Sequence, residues 1–242
     1  MPSIIQTCPE HMNSVLITGA NRGIGLEFAR QYSADGWRVY ACARNPAKAT
    51  ALNELTAKSN GRLTMHALDV SNLAQIDALA AQLKDAPIDI LLNNAGVYPD
   101  SRARFGNTDY DAWMEAFRIN TMATLKMAEA LVENVARSEK KRIVTITSKM
   151  GSMADNTSGG SYLYRSSKAA VHAVVKSLAL DLKPRGIIAA VFNPGWVLTD
   201  MGGLGAAISL ETSVAGMRQV FSELTAADSG YFLDYKGVEI PW

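Results

Sequence analysis

The 242-residue sequence predicts an α/β fold: a doubly wound parallel sheet with helices on both faces. Three observations carry that expectation. Short apolar runs rich in β-branched residues recur along the chain, each stopped by glycine, proline or asparagine. Segments of helical periodicity lie between them. The strand runs are continuously apolar, as strands covered by helices on both sides require. No internal repeat, low-complexity tract or linker interrupts the alternation. One domain spanning 1–242 is therefore expected, long enough to fill a single core.

Residues 15–18 read as the first strand. Gly19-Ala-Asn-Arg-Gly-Ile-Gly25 turns it into a helix over 26–34, which Asp35-Gly36 ends. The second strand is 37–43 and the second helix 46–58. A third strand, 62–68, leads to Asp69-Val70, and Ser71 then caps a helix to about residue 84. The fourth strand, 88–92, stops at Asn93-Asn-Ala-Gly96. Thr108 and Asp111 have the offset of a capping box, and a long proline-free helix runs from there to residue 137. Strand five is 143–147, 151–160 a Gly/Ser/Asn loop, and 161–182 a helix ended by Pro184 and Gly186. Strand six, 187–192, stops at Asn193-Pro-Gly195. A last helix at 211–224 and a closing strand at 231–234 complete the chain. Right-handed crossovers make this a Rossmann-type topology.

Composition narrows the function. Twenty-four Lys and Arg nearly balance 23 Asp and Glu, and no basic run stands out. Nothing therefore points to nucleic acid or an anionic membrane surface. No apolar run reaches the roughly 20 residues that span a bilayer. Residues 1–12 lack the basic and apolar regions of a signal peptide. They read as an N-terminal extension, disordered over the first eleven, on a soluble cytoplasmic protein. Cys8 and Cys42 are too few for a disulfide framework, and Cys42 reads as a small core residue. His11, His66 and His172 are scattered without metal-ligand spacing, so no metal is expected.

In a doubly wound sheet, ligands bind beyond the carboxyl ends of the strands. The polar and glycine clusters fall there: 19–25 after strand one, Asp69 after three, Asn93–Gly96 after four, Ser148 after five, Asn193–Gly195 after six. Strand, glycine turn and helix N-terminus together form an anion site. Its spacing, Gly-x-x-x-Gly-x-Gly, departs from the common Gly-x-Gly-x-x-Gly. Tyr164 and Lys168, four apart, share one helix face. A fixed positive charge beside a phenol favours the phenolate and draws its pKa from about 10 toward neutrality. Tyr164 is thus a candidate proton donor and acceptor.

Thr18-Gly-Ala-Asn-Arg-Gly-Ile-Gly25, Asn93-Asn-Ala-Gly96, Ser148, Tyr164-x-x-x-Lys168 and Pro194-Gly195 together resemble the classical short-chain dehydrogenases/reductases, in order and over nearly the whole chain. Asn21-Arg-Gly-Ile-Gly-Leu-Glu-Phe28, Tyr164-Arg-Ser-Ser-Lys168 and the ending Ile240-Pro-Trp242 are similar to the branch of C-factor-like and sniffer-like carbonyl reductases. The resemblance implies Tyr164 as general acid in reduction and base in oxidation, with Lys168 lowering its pKa and holding the nicotinamide ribose. Ser148 would donate to the substrate oxygen, and Asn120 would hold a water linking Lys168 to solvent. It further implies cofactor contacts from Gly19, Asn21, Arg22, Gly23, Ile24 and Gly25, and from Asp69 and Val70 beside the adenine. Asn93, Ala95 and Gly96 would wall the cofactor, and Pro194, Gly195, Val197 and Thr199 would lie by the nicotinamide amide. Ser148 and Tyr164 are sixteen residues apart, more than is usual in the family, and the excess is assigned to a longer loop at 155–161.

Cofactor choice follows from charge. A carboxylate about 20 residues past the glycine turn would hold the NAD ribose. Strand two ends instead in Ala41-Cys-Ala-Arg44-Asn45. Arg44 and Arg22 suit a 2′-phosphate, so NADP(H) is expected over NAD(H). Tyr98, Phe105, Met150, Met153, Tyr162, Trp196 and Met201 would give an apolar lining for a medium-sized aldehyde or ketone. Gly202-Gly-Leu-Gly205 marks 195–210 as a substrate lid. Tyr162 has no lysine four residues on and is read as lining or loop packing. The function expected is an NADPH-dependent carbonyl reductase, reversible as an alcohol dehydrogenase. The alternatives are a 3-oxoacyl thioester reductase, for which no basic patch near the lid is visible, and a sugar-nucleotide epimerase, for which the chain is short. A cofactor-binding regulator of the C-factor type is the reading from another class. The resemblance also implies a homodimer or a tetramer, built on the helices at 108–137 and 161–182.

Overall fold

A computed structural model describes residues 12–99, 104–203 and 205–242. The extension expected over residues 1–11, with Cys8 and His11, lies outside the described residues, as does Leu204 of the expected lid.

Among the described residues seven strands form one fully parallel sheet: β1 (Ser14–Ile17), β2 (Arg38–Ala43), β3 (Leu63–Ala67), β4 (Ile90–Asn93), β5 (Arg142–Ile146), β6 (Ile188–Asn193) and β7 (Phe232–Asp234). Their order, β3-β2-β1-β4-β5-β6-β7, reverses between β1 and β4 and opens a crevice there. The connecting helices are α1 (Gly23–Ala34), α2 (Thr50–Lys58), α3 (Leu73–Gln82), α4 (Tyr110–Phe117), α5 (Ala123–Ala136), α6 (Tyr162–Asp181) and α7 (Leu210–Glu223).

The continuous apolar strands are explained by two cores. Leu16, Leu91, Ile143 and Val191 point to one face and pack with Ile76, Met127, Leu131, Val171 and Val175 from α3, α5 and α6. Their neighbours Val15, Ile17, Ile90, Leu92, Val144 and Ala190 point to the other, against Phe28, Leu52, Met217 and Phe221 from α1, α2 and α7. Each large side chain so buried contributes about 1.5–3 kcal/mol, which rules out a register shift that would exchange the faces.

Several boundaries differ from the sequence expectation. Helix α1 begins at Gly23, so two glycines of the turn belong to its first residues. The helix expected over 46–58 is a 3₁₀ turn, Pro46–Lys48, and then α2, because Ala49 between them leaves the helical region (φ −89°, ψ 63°). Asn72, not Ser71, caps α3, since Ser71 is already bound by the Asp69 carboxylate. Asp109, not Thr108, caps α4 by accepting from the Ala112 amide at 3.0 Å. The long helix is divided by a π-helical turn, Arg118–Met122.

Candidate active site

The crevice is built from hydrogen bonds across its switch point. Thr18 Oγ1 accepts from the amides of Asn94 (2.9 Å) and Ala95 (3.0 Å), and Asn94 Nδ2 donates to the Thr18 carbonyl at 2.8 Å. These bonds clamp the end of β4 to the glycine turn. Neither Thr18 nor Asn94 was singled out from the sequence, although both lie inside the quoted motifs; each read there as an ordinary strand end or turn. At Gly25 a Cβ would come within 2.3 Å of the Gly19 carbonyl oxygen and 2.5 Å of Asn94 Nδ2. Only glycine allows so close a turn. No side chain caps α1 and no acid lies in its first turn. Its leading amides and dipole therefore face the crevice ready for an anion.

Helix α6 carries Tyr164 and Lys168 into the same crevice. Tyr164 is 7% exposed and Lys168 5%. The Tyr98 ring stacks on Tyr164 with centroids 4.3 Å apart, and the Tyr98 hydroxyl bonds the Ser161 hydroxyl at 3.0 Å. Burial pushes the Tyr164 phenol up to about 12; a hydrogen bond from Ser148 opposes this and the Tyr98 phenol adds to it. Burial draws the Lys168 ammonium down to about 8. Lys168 Nζ donates to the Ile146 carbonyl at 3.2 Å and lies 5.7 Å from the Tyr164 ring centroid. This corrects the expectation that Lys168 draws the phenol toward neutrality. Desolvation dominates both groups, and the ammonium is bonded to backbone.

Asn120 sits in the π turn and is 2% exposed. Its Oδ1 accepts from the Val97 amide at 2.9 Å, and its Nδ2 donates to the Val97 carbonyl (3.0 Å) and Ser167 Oγ (2.9 Å). A Cβ on Gly96 would lie 3.2 Å from Asn120 Oδ1 and 3.4 Å from Lys168 Nζ, so both side chains converge on that glycine. Ser148, Tyr164, Lys168 and Asn120, drawn from three segments, thus meet beyond the carboxyl ends of the strands.

The remaining candidates are distributed around this centre. Asn93 is 4% exposed, and neither its Oδ1 nor its Nδ2 has a partner among the described residues. Asp69 Oδ1 accepts from the Ser71 amide and hydroxyl, and Val70 is buried beside it. Arg44 is exposed just past β2, Asn21 is exposed, and Ile24 packs against the core. Arg22 Nη1 lies 2.5 Å from Asp200 Oδ2 and ties the glycine turn to the 195–210 segment. In that segment the Pro194 carbonyl accepts from Ser213 Oγ (2.6 Å), Val197 bridges Ile208, and Thr199 Oγ1 accepts from the Gly202 amide (3.0 Å). Gly195 has φ +83°, and a Cβ there would meet Ile208 at 2.5 Å. Of the expected lining, Tyr98 reaches Tyr164, and Met150 is half-buried beside Ser148. Met153, Tyr162, Trp196, Met201 and Phe105 are exposed.

The long loop before Tyr164 is anchored. Ser152 Oγ donates to the Pro241 carbonyl (2.6 Å) and the Ala154 amide to the Trp242 carbonyl (3.0 Å). His172, one turn past Lys168, is bound to Thr147 Oγ1 at 2.7 Å and held neutral by burial, with its pKa lowered to about 3. Cys42 is buried and its thiol pushed up to about 12. Among the described residues no cluster of His, Cys, Asp or Glu forms a metal site, and no helix is long and apolar enough to cross a membrane.

A crevice at the switch point of a parallel sheet, with a glycine turn on one side and a buried Tyr/Lys pair on the other, defines a dinucleotide-binding oxidoreductase scaffold. The model of the short chain dehydrogenase family matches residues 13–206, and the chain belongs to that family. It is 41% identical over 165 residues to C-signal of Myxococcus xanthus, covering 68% of this chain and 99% of that protein. The carbonyl reductase Sniffer of D. melanogaster superposes with a TM-score of 0.89 at 32% identity, covering 96% of this chain and 100% of Sniffer. An NADPH-bound carbonyl reductase from chicken fatty liver gives 0.88 at 33% identity, over 96% of this chain and 100% of its own. Within the family the chain falls in the C-factor-like and sniffer-like branch.

Proposed function

We propose that this chain is an NADPH-dependent carbonyl reductase, reversible as an alcohol dehydrogenase, acting on a medium-sized aldehyde or ketone. The observation that carries the proposal is the convergence of Ser148, Tyr164, Lys168 and Asn120 beside an uncapped helix N-terminus. The turn fits a dinucleotide: the start of α1 carries no side-chain cap and no acid, Gly25 lets the turn close tightly on Gly19, and Asn93 at the end of β4 has polar atoms without partners among the described residues. A bound nicotinamide supplies the hydride. The protein supplies the proton and steadies the oxygen.

In reduction, Ser148 donates to the substrate oxygen and Tyr164 delivers the proton to it. A phenol pushed up to about 12 is protonated throughout the neutral range, which suits donation. Lys168 lies next in line to restore that proton, and Asn120, held by three bonds, positions the backbone at Val97 facing it. Arg44 and Arg22 favour a 2′-phosphate over a free ribose hydroxyl, and NADP-bound structures among the neighbours support that choice. The 195–210 segment acts as the lid.

The likeness to C-signal favours a second reading, a cofactor-binding regulator; the complete Ser/Tyr/Lys/Asn set argues for turnover. The exposed Tyr110, Met114 and Met122 of α4 and the π turn support association of α4–α6 with a second copy as a homodimer. The decisive variant is Tyr164→Phe. With NADPH and a panel of carbonyls, kcat should fall about 10²–10⁴-fold while NADPH binding persists. A near-normal rate would remove Tyr164 from the mechanism.

A further inference from the structure

At the amino ends of the strands, on the far side of the sheet from the crevice, lies a cavity of about 290 Å³ lined by Tyr32, Trp37, Lys140, Arg142 and Arg218, with Gln31 at its side. Arg142 opens β5, and Ser148 follows the other end of that strand. Six residues of extended chain at about 3.3 Å each separate the two by roughly 20 Å. The cavity is thus no extension of the crevice.

Its cations come from the start of β5 and from α7. Arg142 is 8% exposed. Its Nη2 caps the end of α7 by donating to the Ser222 (3.2 Å) and Leu224 (3.1 Å) carbonyls. Its Nε and Nη1 have no hydrogen-bond partner among the described residues, and neither does Arg218 Nε. Arg218 otherwise binds Gln31 Oε1 (3.1 Å) and the Asp35 carboxylate, and its guanidinium lies 4.3 Å over the Tyr32 ring. Lys140 Nζ stands 5.9 Å from the centre of the Trp37 ring. Two carboxylates face the group. Asp35 is engaged by Arg218, and Asp89 accepts from the Ser14 and Lys140 amides and from Ser14 Oγ. Neither takes the spare donors of Arg142. Burial draws the Arg142 pKa down, opposed only in part by Tyr32 and Asp89. Buried charged donors without acceptors cost more than about 1–3 kcal/mol each and are rare in native proteins.

We propose that this cavity is a second binding site, for a small oxyanion, carboxylate or phosphate, held by the Arg142 and Arg218 forks with Trp37 and Tyr32 as its flat wall. A change in the side-chain torsions that precede each planar guanidinium would turn these buried spare donors toward the ligand as charge-assisted hydrogen bonds. The bound anion links α1, β5 and α7.

The test titrates sodium phosphate and sodium benzoate into the full-length protein by calorimetry and thermal melting, with chloride at matched ionic strength as the control. Saturating NADPH fills the glycine turn. At ten times Kd the melting temperature should rise by about 3–6 °C. The rise should vanish in Arg142→Met and Arg218→Gln and survive in Arg44→Asp. If Arg142→Met does not fold, Arg218→Gln decides alone. A response to either anion supports the site and names its preferred headgroup. No shift beyond chloride, or a shift undiminished in the Arg218 variant, overturns it. A failure of NADPH to bind would count against the proposed activity and leave this result standing, because the arginine variants report on the distal cavity alone.

Discussion

Lys168→Met should make the protein more stable while abolishing turnover. The ammonium is buried and its pKa lowered from the ordinary 10.5 to about 8. A lowering of about 2.5 pH units corresponds to roughly 3 kcal/mol by which the fold disfavours the charged lysine. The folded pKa is the depressed one. The full penalty is therefore present below pH 8, and it disappears as pH rises from 8 toward 10.5, where the unfolded chain still binds the proton that the folded chain has lost. Methionine fills a similar volume without charge and forgoes the bond to the Ile146 carbonyl, a loss of about 1 kcal/mol. The variant should then exceed the wild type by roughly 2 kcal/mol at pH 7 and roughly 1 kcal/mol at pH 9. Tyr164 and Cys42 also titrate above pH 9, but they are common to both proteins and cancel in the difference. Urea unfolding at pH 7, 8 and 9 reads the gap directly. A variant less stable than the wild type at pH 7, or a gap that does not narrow with pH, would refute the claim that Lys168 is held charged against its surroundings.

Asn120→Ala removes three bonds from a 2% exposed side chain and orphans the Val97 amide. Stability should fall by about 2–4 kcal/mol, seen as a lower urea midpoint, and kcat should fall with it. Arg44→Asp places a carboxylate where the 2′-phosphate is expected. The KM for NADPH should rise about 10–100-fold with little change for NADH, and equal losses for both cofactors in steady-state kinetics would clear Arg44 of a role in selection. Sedimentation at micromolar concentration should show a dimer that Met114→Lys, on the exposed face of α4, converts to monomer.

The sheet was legible because burial on both faces leaves one-dimensional marks: Val15-Leu16-Ile17 is apolar at every position since each residue enters one of the two cores. The Tyr/Lys pair and the glycine turn were legible for a similar reason, being set by local spacing. Features produced by tertiary contact were not. Arg118-Ile-Asn-Thr-Met122 contains no glycine or proline and reads as plain helix; its π turn exists where the Asn120 side chain binds Val97 and Ser167. The caps were missed by one residue because Ser71-Asn72 and Thr108-Asp109 each offer two polar candidates, and for α3 the choice depended on Asp69 having taken Ser71. The pKa of Tyr164 depends on desolvation, which spacing does not record. The basic cavity joins residues 32, 37, 140, 142 and 218, from three stretches far apart in the sequence.

The long loop before Tyr164 gains significance from its anchorage. The sequence assigns its excess length to 155–161, on the rim. In the fold the residues just before that stretch, Ser152 and Ala154, are bound to the Pro241 and Trp242 carbonyls. The Trp242 ring in turn packs 5.4 Å from His172 and 5.7 Å from Phe232. His172 lies four residues after Lys168, on the same face of α6. Gly151, at the start of the loop, approaches both so closely that a Cβ would stand 2.6 Å from His172 Cε1 and 2.9 Å from Lys168 Cβ. Loop, C-terminal segment and lysine are therefore one packed unit. No side chain fits at Gly151 against α6, and this close contact packs the loop directly on the residue that carries the buried ammonium. The 240–242 segment is thus part of the packing behind the Tyr/Lys pair.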